Sequence, residues 1–325
     1  MNEKVLVLGI RGMLGTDLGE VFSQAGEVIG LDREEVDVTN ATQLQQTVLD
    51  IQPTTIINAT GYTDVDGAEG AREAAFALND MTVNNIVEVA QSVAAKLFHI
   101  STEYVFNGEN SEGYQEDMPV SPQNVYGESK AAGEGCVVAY ERGYLIRTSW
   151  LYGKAPQRGK PRGMNFVDAI LTKARAGEEL RVVNDQFGKL TNTRDLALAM
   201  QAVVSGTYEP GIYHLVNEGV ASWYDVACEI VRLAGIETVV RPVFSTEYPT
   251  RAVRPRYGVL LNTKVPLLRP WQEALAEYLG KAHPDLTVGA SALSASGAEH
   301  RTESRLENHS SHGLTPGAFW CVCKV

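Results

Sequence analysis

Through the first half of the chain, short apolar runs alternate with longer stretches in which apolar residues recur at a helical period. Residues 5–8, 28–31, 55–59, 97–100 and 144–146 read as strands buried on both faces, being short, continuous and bounded by turn residues. Residues 12–25, 41–51, 68–95 and 127–141 read as the helices between them. Such alternation predicts the α/β class, a doubly wound parallel sheet with helices on both faces. In that architecture functional groups gather at the carboxyl ends of strands, where Gly9, Asp32, Gly61 and Thr102 fall.

Beyond Tyr152 the texture changes to Gly, Pro and basic residues over 154–163, followed by helical periods at 165–176, 194–205, 223–233 and 270–279. The expected organisation is a dinucleotide-binding Rossmann domain over 1–152, completed by segments near 190–217, and a smaller substrate-binding lobe, not contiguous, over 153–284. The apolar stretch at 211–216 fits either an added strand of the main sheet or the second lobe. Residues 285–325 have no apolar period and build no core, so they read as an interaction tail or as appended or read-through sequence.

Composition narrows the field. With 325 residues, 44% of them hydrophobic, the chain can bury a substantial core, and its formal charge of −12 argues against nucleic acid or an anionic membrane as the main partner. No apolar run is long enough to span a bilayer or to serve as a signal segment, so a cytoplasmic protein is expected. Cys136, Cys228, Cys321 and Cys323 have neither zinc-site spacing nor a disulfide framework, and no metal site is expected.

Candidate chemistry begins at Gly9-Ile-Arg-Gly12-Met-Leu-Gly15, which follows a strand and opens a helix. There the first glycine allows the tight turn, the second lets the backbone approach a pyrophosphate, and the third lets helix and strand pack closely. Asp32 ends the second strand at about the distance where such folds present a carboxylate to the adenosine ribose. It favours a free 2′-hydroxyl, whereas Arg33 beside it and Arg11 in the glycine loop can pair with a 2′-phosphate. The balance leans to NADPH, with NADH also accepted. Downstream, Tyr126-Gly-Glu-Ser-Lys130 places a phenol and an ammonium about one helical turn apart, where the cation is expected to lower the tyrosine pKa and make Tyr126 a general acid. Thr102, at a strand end, can donate to a carbonyl oxygen in the same crevice.

Gly9/Gly12/Gly15 with Thr102, Tyr126 and Lys130 resemble the extended short-chain dehydrogenase/reductase family. Within it, Asn58-Ala-Thr-Gly-Tyr-Thr-Asp-Val-Asp-Gly-Ala-Glu69, Ser101-Thr-Glu-Tyr-Val-Phe106, Arg147-Thr-Ser-Trp-Leu-Tyr-Gly153, Asn165-Phe166, Asp185-Gln-Phe-Gly188 and Arg254-Pro255 are similar to the dTDP-4-dehydrorhamnose reductases, over roughly residues 4–280. The resemblance implies reduction at C4 of a nucleotide 4-keto sugar, with Thr102, Tyr126 and Lys130 as the catalytic group. It also implies a cofactor cradle that includes Met13, Leu14, Asp37, Val38, Ala59, Thr60 and Gly61, and sugar-nucleotide contacts from Thr63, Val65, Tyr104 and Trp150. The expected partner is a small nucleotide sugar, and a homodimer is compatible with the resemblance. A reductase acting on another nucleotide-linked deoxysugar, or a dinucleotide-binding regulatory subunit like that of methionine adenosyltransferase, remain the alternatives. The chain departs from the family pattern at Gly61, Thr82, Glu103, Leu190, Gly258 and Leu261.

Overall fold

A computed structural model describes residues 3–158, 163–284 and 286; the rest of the 285–325 segment lies outside the described residues. The first half runs β1 (Lys4–Leu8), α1 (Met13–Phe22), β2 (Glu27–Leu31), α2 (Ala41–Ile51), β3 (Thr55–Asn58), α3 (Val65–Ala68), α4 (Arg72–Phe76), α5 (Thr82–Ser92), β4 (Lys96–Thr102), α6 (Val125–Ala139) and β5 (Gly143–Thr148). Side-chain caps set several helix starts: Asn40, Asp64 and Asn124 each accept a backbone N–H from the first turn of the helix that follows. The second half continues with β6 (Leu151–Tyr152), α7 (Phe166–Arg175), β7 (Leu180–Val183), β8 (Phe187–Gly188), β9 (Thr191–Asn192), α8 (Thr193–Ser205), β10 (Gly211–His214), β11 (Ala221–Ser222), α9 (Trp223–Ala234), β12 (Val240–Val243), β13 (Tyr257–Gly258) and α10 (Trp271–Ala282).

The main sheet has six parallel strands in the order β10-β5-β4-β3-β1-β2. The segment at 211–216 therefore joins the sheet, with Gly211 opposite Tyr144 and His214 opposite Arg147. Both faces are covered, which is why these strands carry uninterrupted apolar runs. Val5, Val7, Ile57, Phe98 and Ile146 pack under α1 and α8 with Leu14, Leu18, Leu196 and Met200. Leu6, Leu8, Ile56, Leu97 and Leu145 pack on the opposite face with Leu44, Val48, Val83, Ile86 and Val137. The second lobe has its own core, in which Val167 and Leu171 of α7, Val226 and Ile230 of α9, and Leu275 of α10 meet.

One long helix over 68–95 does not form. A π turn at Ala77–Met81 separates α4 from α5, and the buried Asn79 inside it explains the break. Its amide accepts the Tyr62 N–H at 2.8 Å and donates to Tyr62 O at 3.1 Å and Ser129 Oγ at 2.9 Å. Thr82 donates both its backbone N–H and its hydroxyl to Ala77 O, five residues back, the hydroxyl at 2.8 Å. Among the described residues no helix is long and apolar enough to cross a membrane, and no group of three or more His, Cys, Asp or Glu could hold a metal ion. Cys136 and Cys228 are half-buried and free of disulfides.

Candidate active site

At the carboxyl ends of β1, β2, β3 and β4 lies a cleft of about 1170 Å³ whose far wall comes from the second lobe. This exceeds the usual 300–1,000 Å³ of a single small-ligand pocket and suits two ligands end to end. Gly9 adopts φ +85°, and a Cβ on Gly15 would stand 2.0 Å from Gly9 O, so the β1–α1 turn closes only with glycine at both positions. The fit to a dinucleotide rests on this bare-backbone cradle at a helix N-terminus. Gly9, Gly12, Met13, Leu14, Gly15, Asp32, Arg33, Asp37, Val38, Ala59, Thr60 and Gly61 all line the cleft.

Asp32 is buried and accepts backbone N–H bonds from Arg33 at 2.9 Å and Arg11 at 3.0 Å. Burial pushes its carboxyl up, but those two N–H groups and the nearby Arg158 outweigh it and hold the pKa below the ordinary value. Arg11 is not brought to the cleft as the sequence suggested. Its guanidinium pairs with Glu34 at 2.6 Å and with Glu35, two carboxylates of the connection after β2, and it is absent from the lining.

The catalytic candidates converge one strand further along. Thr102 ends β4, and its hydroxyl accepts the Tyr104 N–H at 3.2 Å while donating to Glu103 Oε2 at 2.8 Å. Glu103 is buried, and burial lifts its carboxyl to about 7 against the opposing Thr102 bond. The Tyr126 phenol is pushed well above its ordinary value by burial first and the Glu103 charge second, with a hydrogen bond to Thr102 opposing. This corrects the expectation that Lys130 lowers it. Lys130 donates to Ile100 O at 2.6 Å and lies 3.2 Å from His99 Nε2, and burial pushes its own ammonium down to about 8, opposed by Glu134. With the cation turned to β4, burial and the Glu103 charge both favour the protonated phenol.

His99 was not a sequence candidate, since an isolated histidine within an apolar strand gives no signal. It is buried, held neutral by desolvation and then by Lys130, and its Nδ1 lies 3.0 Å from the amide of Asn58, so it fixes the position of Lys130 from behind. At the other end of the cleft, Thr63, Val65, Tyr104 and Trp150 line the wall together with Phe166, Trp223, Tyr248 and Arg254. Trp150 holds φ +45° and stacks on Trp223 at 3.6 Å, and Arg254 pairs with Asp66 of α3 at 2.6 Å. Trp223, Tyr248 and the site role of Arg254 were also missed, because their contribution depends on how the second lobe folds back.

A family model described as the RmlD substrate binding domain matches residues 3–283. A dTDP-4-dehydrorhamnose reductase of Streptomyces griseus is 36% identical over 285 residues, 84% of this chain and 91% of that one. The chain belongs to the dTDP-4-dehydrorhamnose reductase family. The spore coat polysaccharide biosynthesis protein SpsK of Bacillus subtilis is 38% identical over 282 residues, 85% of this chain and 96% of its own. The crystal structure of the dTDP-4-dehydrorhamnose reductase of Bacillus anthracis in complex with NADP aligns with a TM-score of 0.81 at 34% identity, covering 86% of this chain and 100% of that one.

Gly258 and Glu103, both departures from the family pattern read in the sequence, pack against each other. A Cβ on Gly258 would stand 2.8 Å from Glu103 Cγ and 3.7 Å from its Cβ, so the Glu103 side chain already fills the space that a larger residue at position 258 would need.

Proposed function

We propose that the protein reduces the C4 ketone of dTDP-4-dehydro-L-rhamnose with NADPH to give dTDP-L-rhamnose, and that it accepts NADH less well. The observation that carries this reading is the meeting, in one cleft, of the glycine cradle, the Thr102–Tyr126–Lys130 group and an aromatic wall from the second lobe. Labour divides between a dinucleotide-binding body, 1–152 with 190–217, and a substrate lobe over 153–284.

When bound, the nicotinamide supplies a hydride to C4. Tyr126, protonated across the neutral range, donates its proton to the developing alkoxide. Thr102 Oγ1, oriented by the Tyr104 N–H, supplies a second hydrogen bond to that oxygen. Lys130, held by Ile100 O and His99, stands ready for the nicotinamide ribose. The Trp150–Trp223 stack walls the sugar site and keeps water from it, while Thr63, Val65 and Tyr104 contact the sugar nucleotide. The test is NADPH consumption with a panel of nucleotide-linked 4-keto-6-deoxysugars, with products identified by NMR. Turnover of the dTDP-4-dehydro-L-rhamnose arm above all others is expected, and preference for another sugar would reassign the substrate while leaving the reaction class.

A further inference from the structure

The third partner of Asp32 comes from the far side of the cleft. Arg158, on the connection between β6 and α7, places Nη1 2.8 Å from Asp32 Oδ1, although 126 positions separate the two in sequence. The Arg158 side chain is 52% exposed and lines the cleft, whereas the Asp32 side chain is 8% exposed. Of the other arginines nearby, Arg11 is committed to Glu34 and Glu35, and Arg33 lines the cleft but is exposed and lies near the Asp37 carboxylate.

We propose that Arg158 is the residue that selects NADPH over NADH. The proposal rests on the cofactor reading above and replaces Arg11 and Arg33 as the main bearers of that choice. A bare carboxylate at the end of β2 accepts a ribose 2′-hydroxyl and repels a 2′-phosphate. With Arg158 in contact, the carboxylate is neutralised, and its guanidinium needs only a side-chain rotation to form charge-assisted bonds with the phosphate. Because the Arg158 side chain is about half exposed, it can turn between the two anions without disturbing the core. The second lobe thereby takes part in reading the adenosine end of the cofactor as well as the sugar.

The test is calorimetric binding of NADPH, NADH, 2′,5′-ADP and 5′-AMP to the full chain and its variants, with no turnover required. Arg158→Ala is expected to weaken NADPH and 2′,5′-ADP by about 10–100-fold, the worth of a charge-assisted bond, with NADH and 5′-AMP affected far less. Arg33→Ala is expected to have the smaller effect on the NADPH/NADH ratio. Adding Asp32→Asn to Arg158→Ala should recover part of the NADPH affinity, because it removes the repulsion that the first change unmasks. An unchanged ratio in Arg158→Ala, or the whole effect appearing in Arg33→Ala, overturns the proposal. Failure of the wild-type protein to bind any of the four would overturn the cofactor reading, and this proposal with it.

Discussion

Tyr126 and Glu103 share one buried pocket and respond to pH in opposite roles. Tyr126→Phe removes only the proton donor, so turnover should drop by about 10²–10⁴-fold while NADPH binding persists, as fluorescence titration alongside kinetics would show. Retention of most of the activity would mean that another group supplies the proton. Glu103, whose ordinary value is 4.5, is pushed up to about 7 by burial, with the Thr102 hydroxyl opposing and Tyr104 and Tyr126 beside it. Ionised, it accepts the Thr102 hydroxyl hydrogen bond more strongly; protonated, it accepts that bond more weakly and leaves the hydroxyl freer to turn to the substrate oxygen. Turnover is therefore expected to fall as pH rises through about 7, and Glu103→Gln to flatten that limb. Stability follows the same sign. Between 4.5 and about 7 the folded state keeps a proton that the unfolded chain has lost, so stability falls across that window and the penalty is full above it. Glu103→Gln should raise the thermal midpoint at about pH 8 and leave it unchanged at about pH 4. A midpoint gain of equal size at both values would show that packing, not charge, is responsible.

Among the elements, β13 and the β4 end are coupled through Glu103 and Gly258, and this coupling is testable by rescue. Gly258→Ser forces a Cβ to within 2.8 Å of Glu103 Cγ and is expected to cost about 1–3 kcal/mol, measured by denaturant unfolding. In a Glu103→Ala background, which removes Cγ and leaves Cβ 3.7 Å away, the cost of Gly258→Ser should largely vanish. If Gly258→Ser costs as much in the Glu103→Ala background as in the wild-type chain, the two positions are independent. Each of the five strands read from the apolar runs in the first half forms, because a sheet covered on both faces leaves an uninterrupted signal. The break at Ala77–Met81 was not legible, since its cause is a buried amide bonding to a segment 17 residues away, and periodicity carries no trace of such a partner.

For the molecule as a whole, what could be read in the sequence was what is local. The glycine turn, the Thr102 strand end and the Tyr126–Lys130 helix face each sit within one element, and the fold brings them to one cleft. What escaped was relational: His99 behind Lys130, Arg158 across from Asp32, and Trp223 under Trp150. Lys130 shows the same limit, for the spacing that places it a turn from Tyr126 says nothing of the Ile100 carbonyl that turns it away. The most direct measurement of the central claim is a reaction of dTDP-4-dehydro-L-rhamnose with NADPH deuterated at the nicotinamide C4, followed by NMR of the sugar. The label is expected at C4 of dTDP-L-rhamnose from the wild-type protein, and with Tyr126→Phe the same labelled product is expected to form about 10²–10⁴-fold more slowly. Label at another carbon, or no transfer from a folded protein that binds NADPH, would contradict the account.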